Sequence, residues 1–362
     1  MSQDNAVVEG VAVELTSADR TRSLPELIFS CVSAALADAG CALRDVDAVT
    51  VAGEDLIDGR SLSSMITGPA AGAYLRDEIR LSEDGLAALS LAGAQLVSGT
   101  FDRVLVAAWG RASEGDPERS SAHGFDPFTE QPLGLTAMVT SALRASAHIR
   151  AFGASADYTR AVDARRSRAE RNPRANRIAA RTVPAPFPLR AADLRVETDA
   201  VAAAVLCRTD LNTTSGQASI TGFGHGTDTF HLGNRSLAEL PSARVAVRGA
   251  LAEACRELTE VHVAELGGRT VWDEVQLIES AGLAEPGTGF GALADDTRLN
   301  PSGGSAAGDC EPATGLVRFV EAVLQVTGRA GAVQLPGGPS VALVASGAAL
   351  AGQTHTAVVV EA

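Results

Sequence analysis

Few of the 362 residues carry side chains able to do chemistry by themselves, and the gaps are informative. There is no lysine anywhere. That excludes a Schiff-base aldolase, a pyridoxal phosphate enzyme and a Walker A nucleotide site, since each needs a lysine amine. The five thiols, Cys31, Cys41, Cys207, Cys255 and Cys310, are scattered without a Cys-x-x-Cys pair. Neither a zinc site nor a disulfide framework is expected, and a reducing cytoplasm is the natural setting. Cationic chemistry is concentrated in one stretch. Arg160, Arg165, Arg166, Arg168, Arg171, Arg174, Arg177 and Arg181 are opposed there only by Asp163 and Glu170, a net +6 island in a protein of net charge −14. Arginine forks suit phosphates and carboxylates, so Arg165, Arg166 and Arg168 are candidate contacts for an anionic ligand or an acidic partner.

The overall charge repels a nucleic acid. Residues 1–9 are polar and acidic, unlike a signal peptide. No apolar run reaches the roughly 18 residues needed to span a membrane. Hydrophobic residues make up 46% and aromatics 4%, as in a core of small aliphatic side chains between helices and sheets.

The elements that must hold a site follow from patterning. Ser23-Leu24-Pro25-Glu26 is a capping box that opens a helix with apolar residues at helical spacing, and Gly40 ends it. Residues 47–52 read as a buried strand. Residues 85–97 are apolar nearly all round, which describes a helix buried on every side. Gly99 ends it, and 103–109 reads as a covered strand. The pattern returns in the C-terminal half, with a helix over 315–326, a stop at Gly328 and a strand over 340–345. We read this as a duplicated α/β unit. An arginine-rich, less regular stretch at about 130–190 lies between the halves, followed by a strand over 200–206 that closes the first. The units expected are residues 1–209, including this insert, and 210–362.

With these residues in place the chain resembles the thiolases, most closely their sterol-carrier and lipid-transfer branch. The carriers of the likeness are Glu83-Asp84-Gly85-Leu86, Arg150-Ala151-Phe152-Gly153 with Asn172-Pro173, Thr198-Asp199 and, most specific, Asn300-Pro301-Ser302-Gly303-Gly304. The resemblance implies an α/β fold of two similar halves stacked as a five-layered αβαβα sandwich, with a loop insert in the first half.

The family chemistry needs a nucleophilic cysteine, histidines that activate it and hold a thioester oxygen, and a second acid/base cysteine. Where the resemblance places the nucleophile, this chain has Ser82, which needs a positioned base and alternatively caps the following helix. Asp309 stands in place of the histidine of the glycine-histidine-proline loop, and an ionised aspartate only accepts hydrogen bonds. Next to it Cys310 is a thiol that needs a base such as His225, His231 or His355. The oxyanion-binding segment is assigned to Leu277-Ile278-Glu279-Ser280, leaving Glu279 as its one charge. Ser346-Gly347-Ala348-Ala349 replaces the final thiol segment. Asp309 and Glu279 are a candidate acid/base carboxylate pair.

Two functions are compatible with this. One is a non-catalytic thiolase-like subunit that pairs, as a homodimer or with a catalytic thiolase or ketosynthase-like chain, and with a small OB-fold protein. The other is an acyltransferase or carbon–carbon lyase of altered mechanism. No cofactor is required, and a coenzyme A ester is the ligand that the resemblance implies.

Overall fold

The computed structural model describes residues 6–362 except 20, 56, 59–61, 181, 212–216, 349 and 350. Arg181 and Ala349 therefore lie outside the described residues. The first half runs β1 (Ala6–Thr16), α1 (Leu24–Ala39), β2 (Ala48–Ala52), α2 (Ser64–Ala70), β3 (Asp77–Leu81), α3 (Gly85–Val97) and β4 (Arg103–Arg111). It continues through α4 (Pro117–His123), α5 (Ala137–Phe152) and α6 (Tyr158–Arg171) to β5 (Asp199–Arg208). The second half runs β6 (Ala218–Thr227), α7 (Pro241–Glu253), β7 (Val263–Leu266), α8 (Val271–Ser280), α9 (Gly289–Asp295), α10 (Thr314–Val326), β8 (Val341–Ala348) and β9 (Thr354–Glu361). The boundary expected at 209/210 falls between β5 and β6.

The strand order is β3-β2-β4-β5-β1-β6-β9-β8-β7. Within it one arrangement occurs twice. β2 is parallel to β4, β4 antiparallel to β5, and β5 antiparallel to β1. In the same way β7 is parallel to β8, β8 antiparallel to β9, and β9 antiparallel to β6. Among the described strands, β3 alone lacks a counterpart. β1 and β6 join the halves through three residue pairs, Ala6 with Ile220, Val7 with Ser219 and Val8 with Ala218.

The core divides into three clusters that define the layers. α3 and α10 lie in the middle cluster, with the facing sides of both half-sheets. α1 covers the outer face of the first half-sheet. α7 and α8, with α5, α6 and α9, cover the outer face of the second. The result is the five-layered αβαβα sandwich. Capping predicted for α1 is present, with Ser23 accepting from Glu26 N and Gly40 left-handed at φ 66°. Helix α3 starts and ends where the all-round apolar pattern does.

Two sequence expectations are corrected. The polar opening of the chain conceals β1, a central strand whose buried residues begin at Ala6. The insert at 130–190 is largely helical, carrying α5 and α6.

Candidate functional site

Helices α3 and α10 converge N-terminus to N-terminus between the two half-sheets. Asp84, the N-cap of α3, sits at that junction and is 3% exposed. Its Oδ1 accepts from Leu86 N at 2.9 Å. Its Oδ2 accepts from Gly315 N of α10 at 3.0 Å and from Ser346 Oγ at 3.1 Å. Helix N-termini present unpaired N–H groups and partial positive charge, which is where an anion is stabilised. Here a carboxylate of the chain itself occupies two of them. Burial nevertheless dominates and, with the nearby charge of Asp309, pushes the Asp84 carboxyl up to about 7. Contact at the junction is close enough to require glycine. A Cβ on Gly315 would lie 1.9 Å from Asp84 Oδ1.

Asp84 forms part of the wall of a cleft of about 480 Å³. Ser82, Glu83, His123, Arg269 and Glu311 add polar groups to it, and Ile57, Phe125, Phe230 and Pro312 add apolar surface. Glu311 is held between two guanidiniums. Arg195 lies 3.4 Å away and Arg269 is hydrogen-bonded to its other oxygen. The Arg269 and Arg195 charges hold the Glu311 carboxyl below the usual range although burial opposes this.

The candidates from sequence distribute as follows. Ser82 is exposed on the cleft, and the cap expected of it belongs to Asp84, two residues on, whose shorter reach to the Leu86 N–H fits. Cys310 is fully buried against Gly110, and desolvation drives its thiol well above the usual range. A thiol so placed is inert, which removes it as a nucleophile. Asp309 is also fully buried. Its backbone bonds Val196 and Thr198, and its Oδ2 accepts from Thr314 Oγ1 at 3.1 Å. Burial raises its pKa. Glu279 is elsewhere, on α8, paired with His148 at 2.9 Å and accepting from Gly289 N at 2.9 Å. Asp309 and Glu279 share no partner, so the proposed carboxylate pair is not assembled. Nor does Leu277–Ser280 supply the oxyanion segment, since Ile278 is buried in the outer core. After β7 it is Arg269 that reaches the cleft, with Gly267 and Gly268 lining a smaller cavity beside it.

The arginine island is divided: Arg165 and Arg168 are internal, Arg174 is half-buried, and Arg160, Arg166, Arg171 and Arg177 are exposed. Arg165 and Arg168 are 2% and 4% exposed. Arg165 donates to Asp193 O, Leu194 O and Ser305 Oγ and lies 3.3 Å from Glu274. Arg168 donates to Leu299 O and Asp296 O. Arg174 pairs with Glu321 at 2.5 Å, Arg160 with Asp157 and Asp295, and Arg177 with Glu170. Helical spacing turned these cations onto the second half, which linear charge counting cannot reveal. Arg165 and Arg168 are thus committed to protein oxygens, whereas Arg166 is exposed.

Asp84, Arg269, Glu311 and His123 were missed. Asp84 was legible as a helix cap directly before Gly85-Leu86. Nothing in the linear sequence announces that Arg269 meets Glu311.

Among the described residues, no group of three or more His, Cys, Asp or Glu side chains could hold a metal ion, and no helix is long and apolar enough to cross a membrane. Residues 224–361 match the family model described as thiolase C-terminal domain-like. No curated protein matches the chain. Solved structures similar to it include one titled Ltp2-ChsH2(DUF35) aldolase, with TM-score 0.80 and 20% identity over 99% of this chain and 98% of that one. A monomeric SCP2-thiolase-like protein from Mycobacterium smegmatis aligns with TM-score 0.76 and 18% identity over 100% of this chain and 78% of that one. Human mitochondrial 3-ketoacyl-CoA thiolase aligns with TM-score 0.73 and 13% identity over the whole of both chains. This protein has the thiolase fold throughout, and its residues 224–361 match the thiolase C-terminal domain-like model.

Proposed function

We propose that the protein is a thiolase-fold subunit that forms no acyl-enzyme and acts together with a partner protein. The observation that carries this reading is Asp84. Its carboxylate sits where two helix N-termini would otherwise stabilise negative charge developing on a substrate. Its oxygens take up an N–H at each helix N-terminus, and in its ionised form it also opposes an oxyanion; losing even one donor of such a site costs about 10²–10³ in rate. The buried Cys310 and the Ser82 hydroxyl, which has no hydrogen-bonded base among the described residues, provide no substitute nucleophile. A partner-dependent role is supported by the aldolase relative, whose title names a DUF35 protein alongside the thiolase-fold chain. A cytoplasmic setting agrees with five free cysteines.

A homologous chain, either a second copy or a catalytic thiolase-like subunit, would dock along β3. That strand is a free edge of the sheet, and Leu62, Met65, Ile66, Tyr74, Leu75 and Ile79 are exposed beside it. Unpaired edges and contiguous apolar patches mark association surfaces.

A second reading is favoured by one observation. A carboxyl with a pKa near 7 on the wall of an open cleft is suited to moving protons. An acyl-CoA lyase or acyltransferase using Asp84 as acid/base would exploit it.

Intact-mass measurement after incubation with acetyl-CoA and a longer acyl-CoA tests the first reading. No adduct is expected. A stoichiometric acyl adduct absent from Ser82→Ala would overturn it. Co-purification from the native host should bring down a DUF35-type or thiolase-like chain.

A further inference from the structure

Beyond the Arg269–Glu311 ion pair the cleft adjoins a smaller cavity of about 30 Å³. The two share Arg269, Glu311 and Gly347 in their walls. Arg144, Asp273, Thr314 and His355 complete the polar lining of the smaller one. Arg144 comes from α5 and is 5% exposed. Its Nε donates to Gln276 Oε1 at 2.9 Å, and its Nη1 lies 3.1 Å from Asp273 Oδ1. Its Nη2 is buried and has no hydrogen-bond partner. A buried donor left without an acceptor costs roughly 1–3 kcal/mol, more when charged, so an acceptor from outside the chain is called for.

Room for that acceptor is kept by glycine. A Cβ on Gly352 would lie 2.9 Å from Arg144 Nη1, and one on Gly347 would lie 2.7 Å from His355 Nε2. The two acidic groups on the wall are already engaged. Asp273 Oδ2 accepts from Thr270 N, Thr270 Oγ1 and Ser141 Oγ, and its Oδ1 faces Arg144. Glu311 is shared by Arg195 and Arg269. His355 bonds Ser242 Oγ at 2.8 Å, and burial with the Arg144 and Arg235 charges holds its pKa down to about 3, so it adds no charge of its own near neutrality. The space exceeds what a single water requires, and the one guanidinium nitrogen left free, Nη2, can donate a charge-assisted hydrogen bond to a carboxylate oxygen.

We propose that this cavity is a subsite for a carboxylate at the far end of the ligand that the cleft accepts, recognised by Arg144 with Arg269 beside it. Taken with the second reading of the cleft, in which it receives an acyl-CoA and on which this part rests, the ligand class is an acyl-CoA whose chain ends in a carboxylate. A plain alkyl chain of the same length would leave Arg144 Nη2 unpaired and should be discriminated against, because an unpaired polar group penalises the wrong ligand more than a missing methylene does.

The test has two arms. In the first, thermal unfolding of the unaltered protein is followed in acetate and in chloride at matched ionic strength. Acetate should raise the midpoint more than chloride, and the difference should disappear in Arg144→Gln. Equal effects of the two salts would mean that the cavity holds water only, and the subsite would be overturned. In the second, glutaryl-CoA and pentanoyl-CoA, both five-carbon esters, are titrated calorimetrically. The expected result is at least tenfold tighter binding of glutaryl-CoA, reduced to parity in Arg144→Gln and partly kept in Arg144→Lys. Should Arg144→Gln fail to fold, Arg144→Lys carries the comparison through its weaker preference. Acetate protection with no binding of either ester refutes the thioester reading while keeping the subsite. Equal binding of both esters without acetate protection does the reverse.

Discussion

At the scale of single residues, Asp84 determines what the cleft is not. Its carboxyl is stabilised by three donors yet is still raised to about 7, because burial outweighs them. A carboxyl whose folded pKa lies above its unfolded value binds a proton more readily in the folded state. It therefore adds stability as pH falls from about 7 toward 4, and costs stability above 7. Glu265, buried and likewise raised to about 7 between Arg318 and Glu321, acts in the same direction. Asp84→Asn should flatten this dependence, since the amide does not titrate. Urea unfolding at pH 5 and pH 8 measures it. The unaltered protein should gain a few kcal/mol more than the variant on going to pH 5, roughly as a shift of this size implies. An unchanged slope would mean that Asp84 is already ionised at neutrality.

At the scale of elements, α6 and the loop after α9 are fastened by the side chains that looked most like a ligand site. Arg165 links carbonyls of residues 193–194 in the first half to Ser305 and Glu274 in the second, and Arg168 reaches the carbonyls of residues 296 and 299. The approach is close. A Cβ on Gly303, at φ 95°, would lie 2.4 Å from Ala169 N. Removing either guanidinium leaves buried acceptors and, for Arg165, the buried Glu274 carboxylate without its cation. Arg165→Gln and Arg168→Gln should each destabilise by about 3 kcal/mol or more, measured by denaturant unfolding. Arg166→Gln, on the exposed side of the same helix, should stay within about 0.5 kcal/mol. The inner helices make a parallel case. Gly315→Ala should cost several kcal/mol by driving Asp84 off the N-terminus of α10, a loss readable as a lower thermal midpoint.

For the molecule as a whole, the apolar character of α3 and β4 is no argument for a second chain. The chain's own second half covers them, with α10 and both half-sheets packed around α3. The argument for a partner instead moves to the β3 edge. Antiparallel pairing of two copies centred on Ile79 would place Glu78 opposite Arg80, a favourable cross-strand pair. Met65→Asp together with Leu75→Asp should shift the protein toward the monomer in analytical ultracentrifugation at micromolar concentration. Those side chains are 75% and 88% exposed, so the variant should remain folded. A monomeric unaltered protein would leave a heterologous subunit as the occupant of this edge.

Local chemistry sufficed for much of the framework. The capping box at Ser23, the all-round apolar run of α3, the covered strands and the repeated helix-glycine-strand order are short-range patterns, each dictated by periodicity or a single turn residue. They were enough to identify two similar halves, whereas Ser82 was singled out by the resemblance to the thiolases. Strand β1 escaped because its mixed polar sequence, with Glu9, Gly10 and Glu14, lacks the alternation that marks a strand, and its burial comes from neighbours about 190 residues away. The site was less legible still. Whether a charge faces solvent, a ligand or another charge depends on contacts between residues far apart in sequence. Asp84 with Gly315 and Ser346, Arg269 with Glu311, and Arg144 with Asp273 are all such contacts. Residue type and spacing determined which groups were available. Only the stacking of the two halves decided that Arg165 and Arg168 of α6 are internal braces and that the junction of the inner helices is already occupied by a carboxylate.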